Sequence, residues 1–159
     1  MRPSRHAALM ETALIWGSRS TCSRLQVGCV IAREGRILVQ GYNGAPAGLP
    51  HCNHTCDCDF PLGISEVHSP WCKSLEPCTQ AEHAERNAVA WAARNGVKLE
   101  RSDLYVTDAP CLSCAMAVIN SGVEKAYYYR PYRLTNGIEL LKEAGIEVVK
   151  WQSDIERKN

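Results

Sequence analysis

The sequence predicts an α/β fold in which helices cover a mixed sheet, and three observations carry that reading. Stretches of helical and strand periodicity follow one another in the order α-β-β-α-β-α-β-α-β, the alternation that builds layered sheets. A chain of 159 residues with 45% hydrophobic content has the size of one domain and enough apolar side chains for a sizeable core. No internal repeat and no low-complexity tract interrupts it.

The elements follow from spacing and punctuation. His6 to Arg19 sets Leu9, Ala13 and Trp16 on one helical face. Val27 to Ala32 is apolar, Glu34-Gly35 is a turn, and Arg36 to Tyr42 (RILVQGY) returns with strand-forming residues, which makes a hairpin. From Asn43 to about Cys78 the pattern fails, because prolines and glycines from Gly44 to Pro77 interleave with five cysteines and three histidines. A structureless loop of that length needs an organiser, and metal ligation can replace the missing apolar core. Gln80 to Asn95 then places Ala81, Ala84, Ala88 and Trp91 or Ala92 at helical spacing, with Gly96 as the stop. Leu104 to Thr107 reads as a strand, Pro110 to Ser121 as a helix ended by Gly122, and Val123 to Tyr129 as a strand. A helix from Thr135 to Ala144 stops at Gly145, and a last strand runs through Val149. The polar tail after Trp151 is expected to fray or to serve assembly.

Charge and composition narrow the function classes. With 18 Lys plus Arg against 17 Asp plus Glu the net charge is +1, so no sequence-wide footprint for nucleic acid exists. The apolar stretch Ala7 to Trp16 is broken by Glu11 and Thr12 and is too short for a membrane span. The chain is therefore expected to be soluble, unsecreted and cytoplasmic, with no membrane or nucleic-acid partner. Nine cysteines are an odd count that cannot pair completely, and in such a chain metal binding or catalysis is the better reading than a disulfide framework.

The chemistry concentrates in two short motifs. His83-Ala84-Glu85 stands near the start of one helix and Pro110-Cys111-Leu112-Ser113-Cys114 opens the next, the H-x-E and P-C-x-x-C pattern of zinc-dependent nucleobase deaminases. Cys111 and Cys114, three apart on a helix, face one side and can hold one metal, and His83 would be the third ligand. Three protein ligands leave a fourth tetrahedral position for water, the mark of a catalytic zinc. Helix starts add positive dipole ends that favour thiolates. Glu85, two residues from His83, belongs beside the metal and would act as the proton shuttle. In the expected hydrolytic deamination zinc lowers the pKa of its water toward about 7, and the nucleophile attacks the amidine carbon of a base. Glu85 takes the proton, passes it to the ring nitrogen and assists departure of ammonia. Alternatives stand beside this: a lone C-x-x-C pair is often a redox motif or half of a structural zinc site, Glu85 on an outward face would be a plain surface charge, and a non-catalytic zinc-binding module would close every site.

These residues resemble the cytidine and deoxycytidylate deaminase superfamily, and more closely its deoxycytidylate (dCMP) deaminase branch. Beside the two cores, the similar stretches are Ser20-Thr21-Cys22 before Val27-Gly28, the run Gly41-Tyr42-Asn43-Gly44-Ala45-Pro46-Ala47-Gly48, and Tyr105-Val106-Thr107. The resemblance implies a cytidine deaminase-like three-layer α/β/α fold with a mixed five-stranded sheet. It implies a single zinc-dependent deaminase domain over 1–159 with a Cys/His-rich zinc-binding insertion at about 49–79. The implied activity converts dCMP to dUMP and ammonia and supplies thymidylate synthesis; cytidine, dCTP, guanine, a riboflavin intermediate and tRNA adenosine are the alternative substrates, and near-neutral charge weighs against tRNA. A homo-oligomer, often a hexamer, and dCTP and dTTP as allosteric effectors are implied as well.

By the same resemblance Asn43 would hold the sugar or base and the backbone at Gly44 would let a nucleotide approach closely, although glycines around Pro46 also make an ordinary turn. Arg24 is the preferred phosphate donor, with Arg130 and Arg133 as the others weighed. Cys22, Cys52 and Cys78 match the second, structural zinc site of some members. Its fourth ligand stays open among His51, His54, Cys56, Cys58, His68 and Cys72, which suffice for one or two further structural zincs. Cys29 is expected as a small buried hydrophobe. Three departures from the family pattern are Glu82 before His83, Asp108 at a strand end where it would bear on base preference, and Tyr127-Tyr128-Tyr129, whose rings should alternate between faces.

Overall fold

The computed structural model describes residues 2–22, 24–52, 78 and 80–152. Its sheet grows outward from the hairpin. β1 (Gly28–Arg33) and β2 (Arg36–Tyr42) pair antiparallel, and the turn between them puts Glu34 and Gly35 at φ of 53° and 78°. The other edge of β1 takes β3 (Ser102–Asp108), also antiparallel. β4 (Val123–Arg130) then lies parallel to β3, and β5 (Glu147–Lys150) parallel to β4, giving the order β2-β1-β3-β4-β5. The result is the expected mixed five-stranded sheet between helical layers.

Alternation along the strands divides the core in two. Cys29, Ile31, Leu104, Val106 and Ala126 face α2 (Ala84–Arg94), α3 (Leu112–Asn120) and α4 (Asn136–Glu143). Val30, Ala32 and Tyr105 face α1 (Arg5–Gly17), whose Ala7, Leu9, Met10 and Ala13 cover them. Ser4 caps α1, its Oγ accepting from the Ala7 N–H at 3.1 Å. The tyrosines divide as the pleat requires: Tyr127 and Tyr129 pack on the α1 side and Tyr128 on the other. Close approach of α2 to β2 depends on Gly41, where a Cβ would stand 2.3 Å from the Ala84 carbonyl oxygen.

The helices that carry the motifs begin later than periodicity suggests. α2 starts at Ala84 instead of Gln80, because Glu82 is drawn into an extended bridge with Gly44: Glu82 N–H donates to Gly44 O at 2.8 Å and Gly44 N–H to Glu82 O at 3.0 Å. His83 becomes the extended N-cap of α2, and Cys111 likewise of α3, leaving Pro110 outside the helix. Propensity sees the alanines but not this long-range bridge. Most of the expected insertion, residues 53–77 and 79, and the tail 153–159 lie outside the described residues. Among the described residues no helix is long and apolar enough to cross a membrane.

Candidate active site

Two helix starts meet over the ends of β3 and β4. His83 caps α2, Cys111 caps α3, and Cys114 sits one turn into α3. The His83 Nδ1 lies 3.4 Å from the Cys111 Sγ and 3.3 Å from the Cys114 Sγ, and the three ligand atoms lie within 4.8 Å of one another. A tetrahedral zinc with bonds of about 2.0–2.1 Å to nitrogen and about 2.3 Å to sulfur separates such atoms by about 3.5 Å, so the cluster fits that ion. The charges fit as well. The hydrogen bond from the Cys114 thiol, against the opposing effect of burial, draws Cys111 down to about 3, and the proton that Cys114 keeps for the pair pushes its own pKa up. Contact with Cys111 raises His83.

Glu85 stands in the first turn of α2, only 3% exposed, and burial pushes its carboxyl up to about 7. It faces a cavity of about 250 Å³ that His83, Cys111, Asn43 and Asp108 also line. An outward-facing Glu85 is thereby ruled out. Arg24 and Arg133 reach the same cavity, joined by Tyr132, whose ring lies 5.8 Å from the Arg133 guanidinium.

Asn43 is 7% exposed and braces the cavity wall. Its Oδ1 accepts from Val27 N–H at 2.8 Å and its Nδ2 donates to Leu25 O at 2.7 Å. Gly44 is not among the residues that line the cavity. Its lack of a side chain serves Thr21, whose Oγ1 would be 2.2 Å from a Cβ placed there. Arg130, weighed as a phosphate donor, is bound instead by Asp108 through Nε to Oδ1 at 3.0 Å and Nη2 to Oδ2 at 2.8 Å. Both Asp108 oxygens are thus engaged with a side chain, so this residue, which also lines the cavity, holds Arg130. Cys29 is fully buried as expected, and its thiol donates to Ala84 O at 3.2 Å beneath the start of α2.

Cys22, Cys52 and Cys78 form a second cluster whose sulfurs lie within 4.8 Å of one another, two of them buried and Cys78 half-buried. Burial opposes ionisation of Cys22, yet the backbone N–H groups of Leu25 and Arg24 and the two neighbouring thiols prevail and lower its pKa. Burial and the bond to Cys78 push Cys52 up to about 11. Three sulfurs brought this close, one of them already biased toward thiolate, suit a zinc ion. Among the described candidates His51 does not join this cluster. His54, Cys56, Cys58, His68 and Cys72 lie outside the described residues.

The family model for the cytidine and deoxycytidylate deaminase zinc-binding region matches residues 3–130. The chain belongs to this family. It is similar to deoxycytidylate deaminase of Saccharomyces cerevisiae, 36% identical over 149 residues, which cover 93% of this chain and 45% of the yeast protein. The chain thus spans less than half the length of that relative. Deoxycytidylate deaminase of Enterobacteria phage T4 is 34% identical over 171 residues, 89% of this chain and 87% of the phage protein. A crystal structure of dCMP deaminase from the cyanophage S-TIM5 in complex with dCMP and dUMP matches with a TM-score of 0.78 at 31% identity, covering 95% of this chain and 99% of that one.

Sequence reasoning passed over Tyr132 and over the pairing of Asp108 with Arg130. The pair comes from the parallel register of β3 and β4, which sets Asp108 beside Arg130 and which residue spacing alone does not display.

Proposed function

We propose that this chain hydrolyses dCMP to dUMP and ammonia. The observation that carries the reading is a cavity lined by Glu85, whose buried carboxyl has a pKa of about 7, together with His83 and Cys111 of the cluster that Cys114 completes. The similarity to proteins named deoxycytidylate deaminase, and to a solved relative in complex with dCMP and dUMP, supplies the substrate.

His83, Cys111 and Cys114 hold the catalytic zinc, which when bound supplies the Lewis acidity that makes water nucleophilic near neutral pH. Glu85 does the proton work. Its carboxylate accepts a proton from the attacking water, donates it to the ring nitrogen beside the amino-bearing carbon, and serves the departing ammonia in the same way. A pKa near neutrality suits a group that must both take and give a proton at physiological pH. Asn43 meets the sugar or base, the backbone of the neighbouring Gly44 lets the nucleotide approach, and Arg24 takes the 5′-phosphate, with Arg133 as a second cation on the cavity. Cys22, Cys52 and Cys78 hold a structural zinc whose remaining ligand comes from the insertion at about 49–79 of a single domain over 1–159. Cytoplasmic residence, a homo-oligomer and control by dCTP and dTTP belong to the same reading, and dCMP saturation curves with and without each triphosphate test the last of them.

The deciding experiment compares dCMP, CMP, deoxycytidine, dCTP and guanine on the purified zinc-loaded protein by ammonia release and base conversion. Selective turnover of dCMP is the expected result. Turnover of guanine or deoxycytidine in preference to dCMP would overturn the substrate.

A further inference from the structure

We propose that Arg130, held in place by Asp108, is a positioning residue that fixes the 24–27 wall of the substrate cavity and so tunes affinity for the nucleotide. The inference rests on the dCMP reading and adds a residue to it.

The parallel strands β3 and β4 end side by side, with Asp108 paired to Arg130 and the Ala109 N–H donating to Arg130 O at 2.9 Å. The guanidinium grips both carboxylate oxygens, through Nε at 3.0 Å and Nη2 at 2.8 Å. Asp108 is steadied from behind, since Thr107 Oγ1 donates to its Oδ2 at 2.7 Å and itself accepts from Gly28 N–H at 3.2 Å. What Arg130 does with this fixed geometry is visible in its third contact. The same Nη2 donates to Gln26 O at 3.2 Å.

Gln26 lies between the two residues that Asn43 secures, Leu25 through its carbonyl and Val27 through its N–H. Three consecutive residues of an irregular segment are therefore tied by side chains from two strand ends, Asn43 following β2 and Arg130 ending β4. That segment supplies Arg24, Leu25 and Val27 to the cavity. The Arg130 side chain is 46% exposed, and an ion pair so open to water adds little to stability. Its value is directional, because a planar fork can grip a carboxylate and a carbonyl at once, whereas the ammonium of lysine cannot reproduce that arrangement.

The test uses the zinc-loaded full chain and three variants, Arg130→Lys, Arg130→Met and Asp108→Asn, the last keeping shape if the arginine variants fold poorly. Steady-state kinetics on dCMP should show KM raised about tenfold, with kcat reduced by a smaller factor, since misplacing a positioning group weakens productive binding. The dissociation constant for dUMP by calorimetry should rise in parallel at unchanged zinc content. A third readout needs no substrate: backbone amides of residues 24–27 should exchange hydrogen faster in Arg130→Lys than in the parent. Unchanged exchange, or unchanged KM and dUMP affinity in folded variants, would overturn the clamp, and so would a fall in kcat with KM intact. Failure of the parent protein to turn over dCMP or bind dUMP would sink the dCMP reading instead, and amide exchange would then decide the clamp alone.

Discussion

The first triad hangs on two helix starts, whereas the second is gathered from residues outside any helix or strand, Cys22 after α1 and Cys52 and Cys78 far along the chain from it. His83 and Cys111 are N-caps and Cys114 lies three residues further on, so helix geometry sets the two cysteines on one side and the packing of α2 beside α3 brings His83 to them. Cys22, Cys52 and Cys78 owe their meeting to tertiary structure: the bridge between Gly44 and Glu82 and the Asn43 contacts bring the segments together. The difference teaches that a triad built on regular helix starts leaves its spacing in the sequence, while one gathered from irregular segments depends on long-range contacts that leave no such mark.

Breaking each triad separately should show that asymmetry. Cys114→Ser has the largest expected effect: it should strip zinc from the first triad and lower dCMP turnover by about 10²-fold or more, since even outer-shell changes around a metal cost about 10–100-fold. Metal content and turnover on one preparation check it. Cys52→Ser should do the reverse, releasing the second zinc and lowering Tm by about 5 °C or more, each kcal/mol being worth about 2–4 °C at this chain length. Its zinc at the first triad and most of its turnover should remain, as read by metal analysis and a melting curve. Loss of both metals in either variant would mean that the two sites form one cooperative unit. Asn43→Ala sharpens the comparison at the wall between the clusters. It deletes one buried and one partly buried hydrogen bond and should cost about 1–3 kcal/mol in denaturant unfolding, because the Val27 N–H is left without its partner.

Much of this was legible in the residues, and the parts that were not share a physical cause. The hairpin, the strand order along the chain and the helices followed from periodicity and from Gly35, Gly96, Gly122 and Gly145, since these signals are local. Periodicity starts α2 at Gln80 and the structure starts it at Ala84, because the Gly44 bridge, formed across a long sequence separation, outweighs the helix preference of Ala81. His83, Glu85, Cys111 and Cys114 announced themselves by spacing. Asn43 was singled out as a substrate contact, and its position on the cavity is accompanied by a structural task that no motif reveals. Gly44 reads in the sequence as a place where a nucleotide approaches the backbone, and the structure adds a second demand for glycine there, since Thr21 Oγ1 stands 2.2 Å from where a Cβ would be. Asp108 and Arg130 looked like separate polar residues because only the parallel register of β3 and β4 makes them neighbours.

The most direct test of the account is dCMP turnover by the parent and by Glu85→Gln at matched zinc content. Removing the proton-transfer group while keeping its shape should lower kcat by about 10²–10⁴-fold with both metals retained. Turnover preserved in Glu85→Gln would contradict the account, because the buried carboxyl facing the His83, Cys111 and Cys114 cluster would then have no part in the chemistry.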